Sequence, residues 1–239
     1  MIVVRIETVT TGLDLAGVFA NALLGGAVAR RYGLDLFGFV VLGLVSGLGG
    51  GMIRDVLLQN GPPVALTNSA YIPTALCGAG LAFVLHISER DWDRVFTVLD
   101  AAALSLWATV GAQKAQAVGL GWLPAILLGT ITAVGGGACR DLLLQRIPAV
   151  LGGNALYATV AVLVAAIQVL GTEFGSPLTG TVLGILAGAV LRVLAAWRGW
   201  NLPNAPDWQP RTFLGRLPRP VYRPRRRGPR PRPDDGGAR

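Results

Sequence analysis

A glycine triplet followed by an arginine–aspartate pair stands twice in this chain, each time inside a long apolar run. The first copy is Gly49-Gly50-Gly51-Met52-Ile53-Arg54-Asp55, and Gly135-Gly136-Gly137-Ala138-Cys139-Arg140-Asp141 follows 86 residues later. Glycine weakens a helix interior by about 1 kcal/mol relative to alanine. A charge at mid-bilayer costs at least about 2.5–3.5 kcal/mol on insertion scales. A chain that accepts both costs at matching positions is expected to use them. Two uses compete. Either the glycines let helices pack closely and Arg–Asp is an internal staple, or the triplets open their helices beside a polar path.

The surroundings of the motif set the class. Of 239 residues, 52% are hydrophobic and only 14% charged, against about 25% charged in soluble domains. Apolar runs approaching 20 residues recur, as in a helical membrane protein. The expected fold is therefore an all-α integral membrane protein with seven transmembrane helices. The spans are read at about 10–28, 34–59, 69–87, 97–117, 122–145, 154–171 and 178–197. Asn60-Gly61-Pro62-Pro63 and Arg146-Ile147-Pro148 end the two motif-bearing spans, and residues 88–94 read as a polar connector. No cleavable signal peptide is expected, because Arg5 and Glu7 precede a segment that reads as permanent.

The repeat extends far beyond the motif. Residues 13–75 align with 99–161 without a gap, with 23 identities in 63 positions. Matched pairs include Asp14/Asp100, Gly25/Gly111, Gly43/Gly129, Arg54/Arg140, Asp55/Asp141, Gln59/Gln145, Asn68/Asn154 and Tyr71/Tyr157. Each unit holds three spans, so the second must enter the bilayer from the opposite side. That predicts an inverted 3+3 repeat (about 10–87 and 97–171) plus one extra helix, an arrangement common among transport proteins. Basic residues in short loops set the orientation. Arg30, Arg31, Arg90, Arg94 and Arg146 share a side with the basic C-terminal stretch, whereas 60–68, 118–122 and 171–177 lack Lys and Arg. The N-terminus is expected outside and the C-terminus in the cytoplasm.

The remaining charges have competing readings. Asp14 and Asp100, near the starts of their spans, read as carboxylates complementing helix N-termini or as cation attractors at the mouths of a path. Lys114 has Val28 at its repeat-matched position; it reads as a snorkelling side chain or as a gate. Arg192, in the last turns of the seventh span, reads as snorkelling inward. Arg54 and Asp55 are adjacent and point about 100° apart on a helix, so pairing to another helix is expected, with Asp55 or Asp141 meeting the arginine of the other repeat. Gly180, Gly184 and Gly188 form a small-residue stripe for helix packing, within the chain or between subunits.

Residues 201–239 carry 10 Arg and 3 Asp among many prolines, whereas residues 1–200 carry 11 Lys+Arg and 10 Asp+Glu. The tail is expected to be disordered, to touch anionic lipid and to bind no specific nucleic acid. Two cysteines and one histidine, His86, predict neither a disulfide framework nor a metal site, and no cofactor is expected. No nucleophile–base pair or phosphate loop points to an enzyme.

The twin Gly-Gly-Gly-x-x-Arg-Asp motifs, each followed by x-Leu-Leu-Gln within a three-plus-three-plus-one chain, resemble the prokaryotic TRIC family of trimeric intracellular cation channels. Bacterial members are also catalogued as glycine transporter domain proteins. The resemblance covers about residues 5–198. It implies a homotrimer, one pore per protomer for monovalent cations, mainly K⁺, and kinks in the second and fifth spans at the motif. The motif residues are Gly49, Gly50, Gly51, Arg54 and Asp55 with Gly135, Gly136, Gly137, Arg140 and Asp141. A secondary transporter for glycine or another small amino acid, and a non-conducting scaffold displaying the basic tail, are the alternatives.

Overall fold

The computed structural model describes residues 2–85, 89–151 and 156–201. His86, Asn154 and the tail beyond residue 201 lie outside the described residues. Those described form helices and turns: α1 (Ile2–Arg31), α2 (Leu36–Leu58), a short α3 (Val64–Thr67), α4 (Tyr71–Val84), α5 (Glu89–Ala117), α6 (Trp122–Leu143), α7 (Tyr157–Glu173) and α8 (Pro177–Arg198), with a 3₁₀ turn at Ala149–Leu151. Among the described residues, five stretches are long and apolar enough to cross a membrane: Thr10–Arg31, Leu36–Leu58, Val95–Ala117, Trp122–Leu143 and Pro177–Arg198. At 14 and 17 residues, α4 and α7 reach only about 21 and 26 Å at 1.5 Å per residue, less than the ~30 Å of a hydrocarbon core. The expected polar connector is already helix from Glu89 onward.

Local chemistry explains the helix ends. Asp35 caps α2 by accepting a hydrogen bond from the Gly38 N–H at 2.9 Å. Pro177 opens α8, where its missing N–H leaves no helical bond unmade. Gly199, at φ 64°, closes α8 in the left-handed conformation that lets its N–H reach the Ala195 carbonyl. Gln59 and Gln145, the matched glutamines after each motif, both have positive φ (51° and 54°). The chain therefore turns the same way after each copy.

Two three-helix groups make the body. In the first, α1 packs on α2 and α4; in the second, α5 packs on α6 and α7. They join along α2–α6 and α1–α5, and α8 lies against α5 and α7. The glycine stripe of α8 is used inside the chain. Gly180 meets Gly171 of α7, and Gly184 and Gly188 meet Val164 together with Thr109 and Ser105 of α5. Leu123, Leu127, Leu163 and Leu183 are exposed and point outward, as lipid-facing residues do in a spanning bundle.

Candidate functional site

The two glycine triplets meet each other at the centre. A Cβ on Gly50 would stand 2.2 Å from the Thr132 carbonyl oxygen, and one on Gly136 would stand 2.2 Å from the Ser46 carbonyl oxygen. A Cβ on Gly49 would approach the Gly136 Cα to 3.4 Å, and one on Gly135 the Gly50 Cα to 3.2 Å. The backbones of α2 and α6 thus touch where only glycine fits. Both helices run through their triplets without interruption. The expected helix break, with freed carbonyls beside a path, is absent from this structure, because the missing side chains serve backbone contact.

The charged motif residues pair only partly as expected. Arg54 does reach another helix, 3.5 Å from Asp14 of α1, but the shortest contact of each arginine is with its own neighbour. Arg54 Nε donates to Asp55 Oδ1 at 2.7 Å, and Arg140 Nε to Asp141 Oδ1 at 3.0 Å. Each arginine folds back onto its own neighbour rather than across to the other repeat. The Cβ vectors do diverge, but the long arginine stem reaches round the helix. The second carboxylate oxygen has its own use. Asp55 Oδ2 accepts the Val64 N–H at 3.0 Å, and Asp141 Oδ2 accepts the Ala149 N–H at 3.1 Å. Each aspartate therefore ties the short helical turn beyond its own helix back to the motif.

Two buried charge clusters result. In the first, Asp14 of α1 accepts hydrogen bonds from Lys114 Nζ at 2.8 Å and the Tyr71 hydroxyl at 3.0 Å, and lies 3.5 Å from Arg54 Nη2. Asp14 and Arg54 are each 1% exposed. In the second, Asp100 of α5 accepts from the Tyr157 hydroxyl at 3.1 Å and lies 3.4 Å from Arg192 Nη2. The Arg192 guanidinium stands 5.0 Å above the Tyr157 ring. Arg146, in the loop after α6, donates through Nε to Asp141 Oδ1 at 3.0 Å. Burial disfavours the Arg146 charge, but the Asp141 carboxylate outweighs it, and the pKa of Arg146 is raised.

These contacts correct three expectations. Asp14 and Asp100 stand well inside α1 and α5, which begin at Ile2 and Glu89, so neither complements a helix N-terminus. Arg192 does not snorkel; it is 4% exposed and pairs with Asp100. Lys114, whose side chain is 23% exposed, is likewise bound to Asp14. In both clusters the pattern of Asp, Tyr, Arg and Asp is repeat-matched, each gains a cation from outside its repeat, and the second also holds Arg146, whose matched position is Asn60. Lys114 is supplied by the second repeat, and Arg192 by α8. Tyr71 and Tyr157 were visible as repeat-matched polar residues, which was the signal for their place in the clusters. Nothing in the spacing pointed to Arg192.

Cavities reach both clusters. One of about 420 Å³ is lined by Val28, Arg31, Asp100, Arg140, Asp141 and Arg192, among others. At the other end, one of about 230 Å³ is lined by Asp55, Asn60, Val64 and Lys114, and one of about 490 Å³ by Thr10, Gln113, Lys114 and Gln116. The arrangement holds paired acidic and basic groups in the bundle interior, with cavities beside them at two ends. No group of three or more metal-ligating His, Cys, Asp or Glu residues occurs among the described residues.

Comparison with known proteins agrees with this architecture. The model of the family described as glycine transporter matches twice in tandem, over residues 11–87 and 97–173. The UPF0126 inner membrane protein YadS of Escherichia coli K12 is 34% identical over 193 residues, covering 80% of this chain and 92% of that protein. The UPF0126 membrane protein SCO4104 of Streptomyces coelicolor is 46% identical over 200 residues, covering 83% and 91%. Among solved structures, the trimeric intracellular cation channel orthologue from Rhodobacter sphaeroides superposes with a TM-score of 0.71 at 38% identity, covering 80% of this chain and 97% of that one. A prokaryotic TRIC channel superposes with a TM-score of 0.76 at 30% identity, covering 82% and 100%.

Proposed function

The chain belongs to the glycine transporter family, the TRIC family that its twin motifs resemble, and on that premise we propose that it is a cation channel of the cell membrane. The observation that carries the reading is its likeness, over about four-fifths of its length, to solved TRIC channels at 30–38% identity. The buried charge clusters fit it, since intramembrane ionisable residues mark ion and solute pathways by default. The finer reading is a homotrimer with one path per protomer, conducting K⁺ along the junction of α1, α2, α5 and α6. Opening is assigned to bending of α2 and α6 at the triplets, where helix propensity is lowest. Asp14, Lys114 and Asp100 then lie beside the two mouths of the path, and residues 201–239 form a cytoplasmic tail against anionic lipid.

The test is flux. Protein reconstituted in liposomes is expected to release K⁺ under an imposed potential well above protein-free vesicles, to take up no labelled glycine, and to run as a trimer in native mass spectrometry. Glycine uptake without K⁺ release would overturn the channel reading.

The proposed topology is an inverted repeat with the N-terminus outside. Val64 and Val150, which follow the two motifs at matched positions, should then face opposite sides of the membrane. Single cysteines at these positions, probed in intact cells with an impermeant thiol reagent in the background lacking Cys77 and Cys139, are expected to label at 64 and not at 150. Labelling of both from one side would rule the inversion out.

A further inference from the structure

One helix carries a group from each level of the bundle on a single face. Asp100, Trp107 and Lys114 follow one another at intervals of seven on α5. Seven residues of helix turn through about 700°, so the three side chains share a face, each about 10.5 Å beyond the last. Asp100 belongs to one charge cluster and Lys114 to the other. Trp107 therefore stands midway between them. The repeat-matched face of α1 carries Asp14, Asn21 and Val28 at the same spacing. At the central level the repeat breaks its own symmetry: asparagine on one helix, tryptophan on the other.

Trp107 is 1% exposed and heads the fully buried side chains by volume. Its indole lies on the backbone of α1, so close that a Cβ on Gly17 would stand 2.3 Å from Nε1. Its other edge reaches α6, where a Cβ on Gly136 would be 3.4 Å from Cζ3. The ring thus fills the space between α1 and the glycine crossing of α2 and α6. Beside it, a chamber of about 10 Å³ is bounded by Asp14, Arg54, Asp55, Tyr71 and Trp107, room for about one water molecule. The cavity at the Asp100 end and those at the Lys114 end are far larger, at about 420, 230 and 490 Å³. Trp107 Nε1 has no hydrogen-bond partner among the described residues. The indole is therefore held by packing alone, and no hydrogen bond must break for it to move. Asn21, opposite in the repeat, turns its amide to its own helix, Nδ2 donating to the Gly17 carbonyl at 3.3 Å.

We propose that the Trp107 indole is the plug that separates the cavities at the two ends of each protomer, and that it must leave the junction of α1, α2 and α6 for a cation to pass. The inference rests on the channel reading and names the residue that closes it. The closed barrier is then an apolar ring of one side chain, contributed by the second repeat alone. The charge clusters hold the surrounding helices in place without themselves blocking the centre.

The experiment compares K⁺ release from liposomes containing the parent, Trp107→Ala or Trp107→Phe, each checked for the parental oligomeric state. Trp107→Ala is expected to raise K⁺ flux by roughly tenfold, the equivalent of about 1.4 kcal/mol off the barrier. Trp107→Phe, which keeps an apolar ring, is expected to stay near the parent. A Trp107→Ala protein that assembles but conducts at or below the parental rate overturns the proposal. So does a rise that extends equally to a trapped dye, which marks a leaking bilayer. If Trp107→Ala does not assemble, Trp107→Asn, which copies position 21 onto α5, carries the same expectation and the same overturning result. A parent that conducts while the variants merely match it removes the plug and leaves the channel reading standing. K⁺ flux from none of them removes the channel reading, and the plug with it.

Discussion

Asp100→Asn is expected to destabilise the protein more than Asp14→Asn, although the two aspartates are matched in the repeat. Each substitution leaves a cation without its main counter-charge in a buried site, and breaking a buried pair by removing one partner costs about 3–5 kcal/mol. The cations left behind differ in their surroundings. Lys114 has a side chain 23% exposed and next to two cavities, so its ammonium regains water by a small movement. Arg54, the other cation near Asp14, keeps Asp55 at 2.7 Å. Arg192 has a side chain only 5% exposed and lies against the Tyr157 ring, with Asp100 as its ion-pair partner. Asp100→Asn should therefore sit at the upper end of that range and Asp14→Asn at or below the lower end. Thermal unfolding in one detergent, followed by loss of the oligomer on size exclusion, gives the order. In a double-mutant cycle, Arg192→Met should recover part of the Asp100→Asn loss, and Lys114→Met little of the Asp14→Asn loss. Equal losses, or the reverse order, would show that the partners from outside each repeat are not what fixes the aspartates.

The contrast marks where the sequence was legible. Apolar runs and the 86-residue offset are one-dimensional signals, and they placed α2, α4, α6, α7 and α8 within a few residues at both ends. They also identified every repeat-matched member of both clusters, from Asp14 and Asp100 to the motif arginines. Helix starts were misread at α1 and α5 because polar residues near their starts, Arg5, Glu7, Thr8, Thr10 and Thr11 in α1 and Glu89, Arg90 and Asp91 in α5, break the apolar pattern. That error placed Asp14 and Asp100 at N-termini. The Arg54–Asp55 pairing was misjudged because a 100° separation constrains Cβ directions and not the tip of a long side chain. Arg192 resembled a snorkelling residue by position alone, and its partner lies on a helix 92 residues away in sequence. The triplets were ambiguous for a sharper reason. A broken helix and a backbone-to-backbone contact both demand glycine, and only the placement of α2 against α6 separates them.

That placement makes the three glycines of each triplet unequal, and alanine substitution should show it. At the central position, Gly50→Ala would put a methyl 2.2 Å from the Thr132 carbonyl oxygen, and Gly136→Ala one 2.2 Å from the Ser46 carbonyl oxygen. Both obstacles are backbone atoms within long helices and cannot rotate away, so α2 and α6 must separate. Overpacking of this kind typically costs about 1–3 kcal/mol and occasionally more, against a helix-propensity gain of at most about 1 kcal/mol. At the third position, a Cβ on Gly51 meets the Arg54 guanidinium at 3.6 Å and one on Gly137 meets that of Arg140 at 3.6 Å. These are ordinary contacts with the ends of flexible side chains. Gly51→Ala and Gly137→Ala should therefore leave stability unchanged or slightly higher. Thermal unfolding of the four variants should separate them into two pairs by position in the triplet rather than by repeat. The same pairs bear on bending. If α2 and α6 flex at the triplets during opening, Gly51→Ala and Gly137→Ala, folded and stiffer, should lower K⁺ flux without lowering stability. Parental flux in both would confine the role of the triplets to the crossing at Gly50 and Gly136.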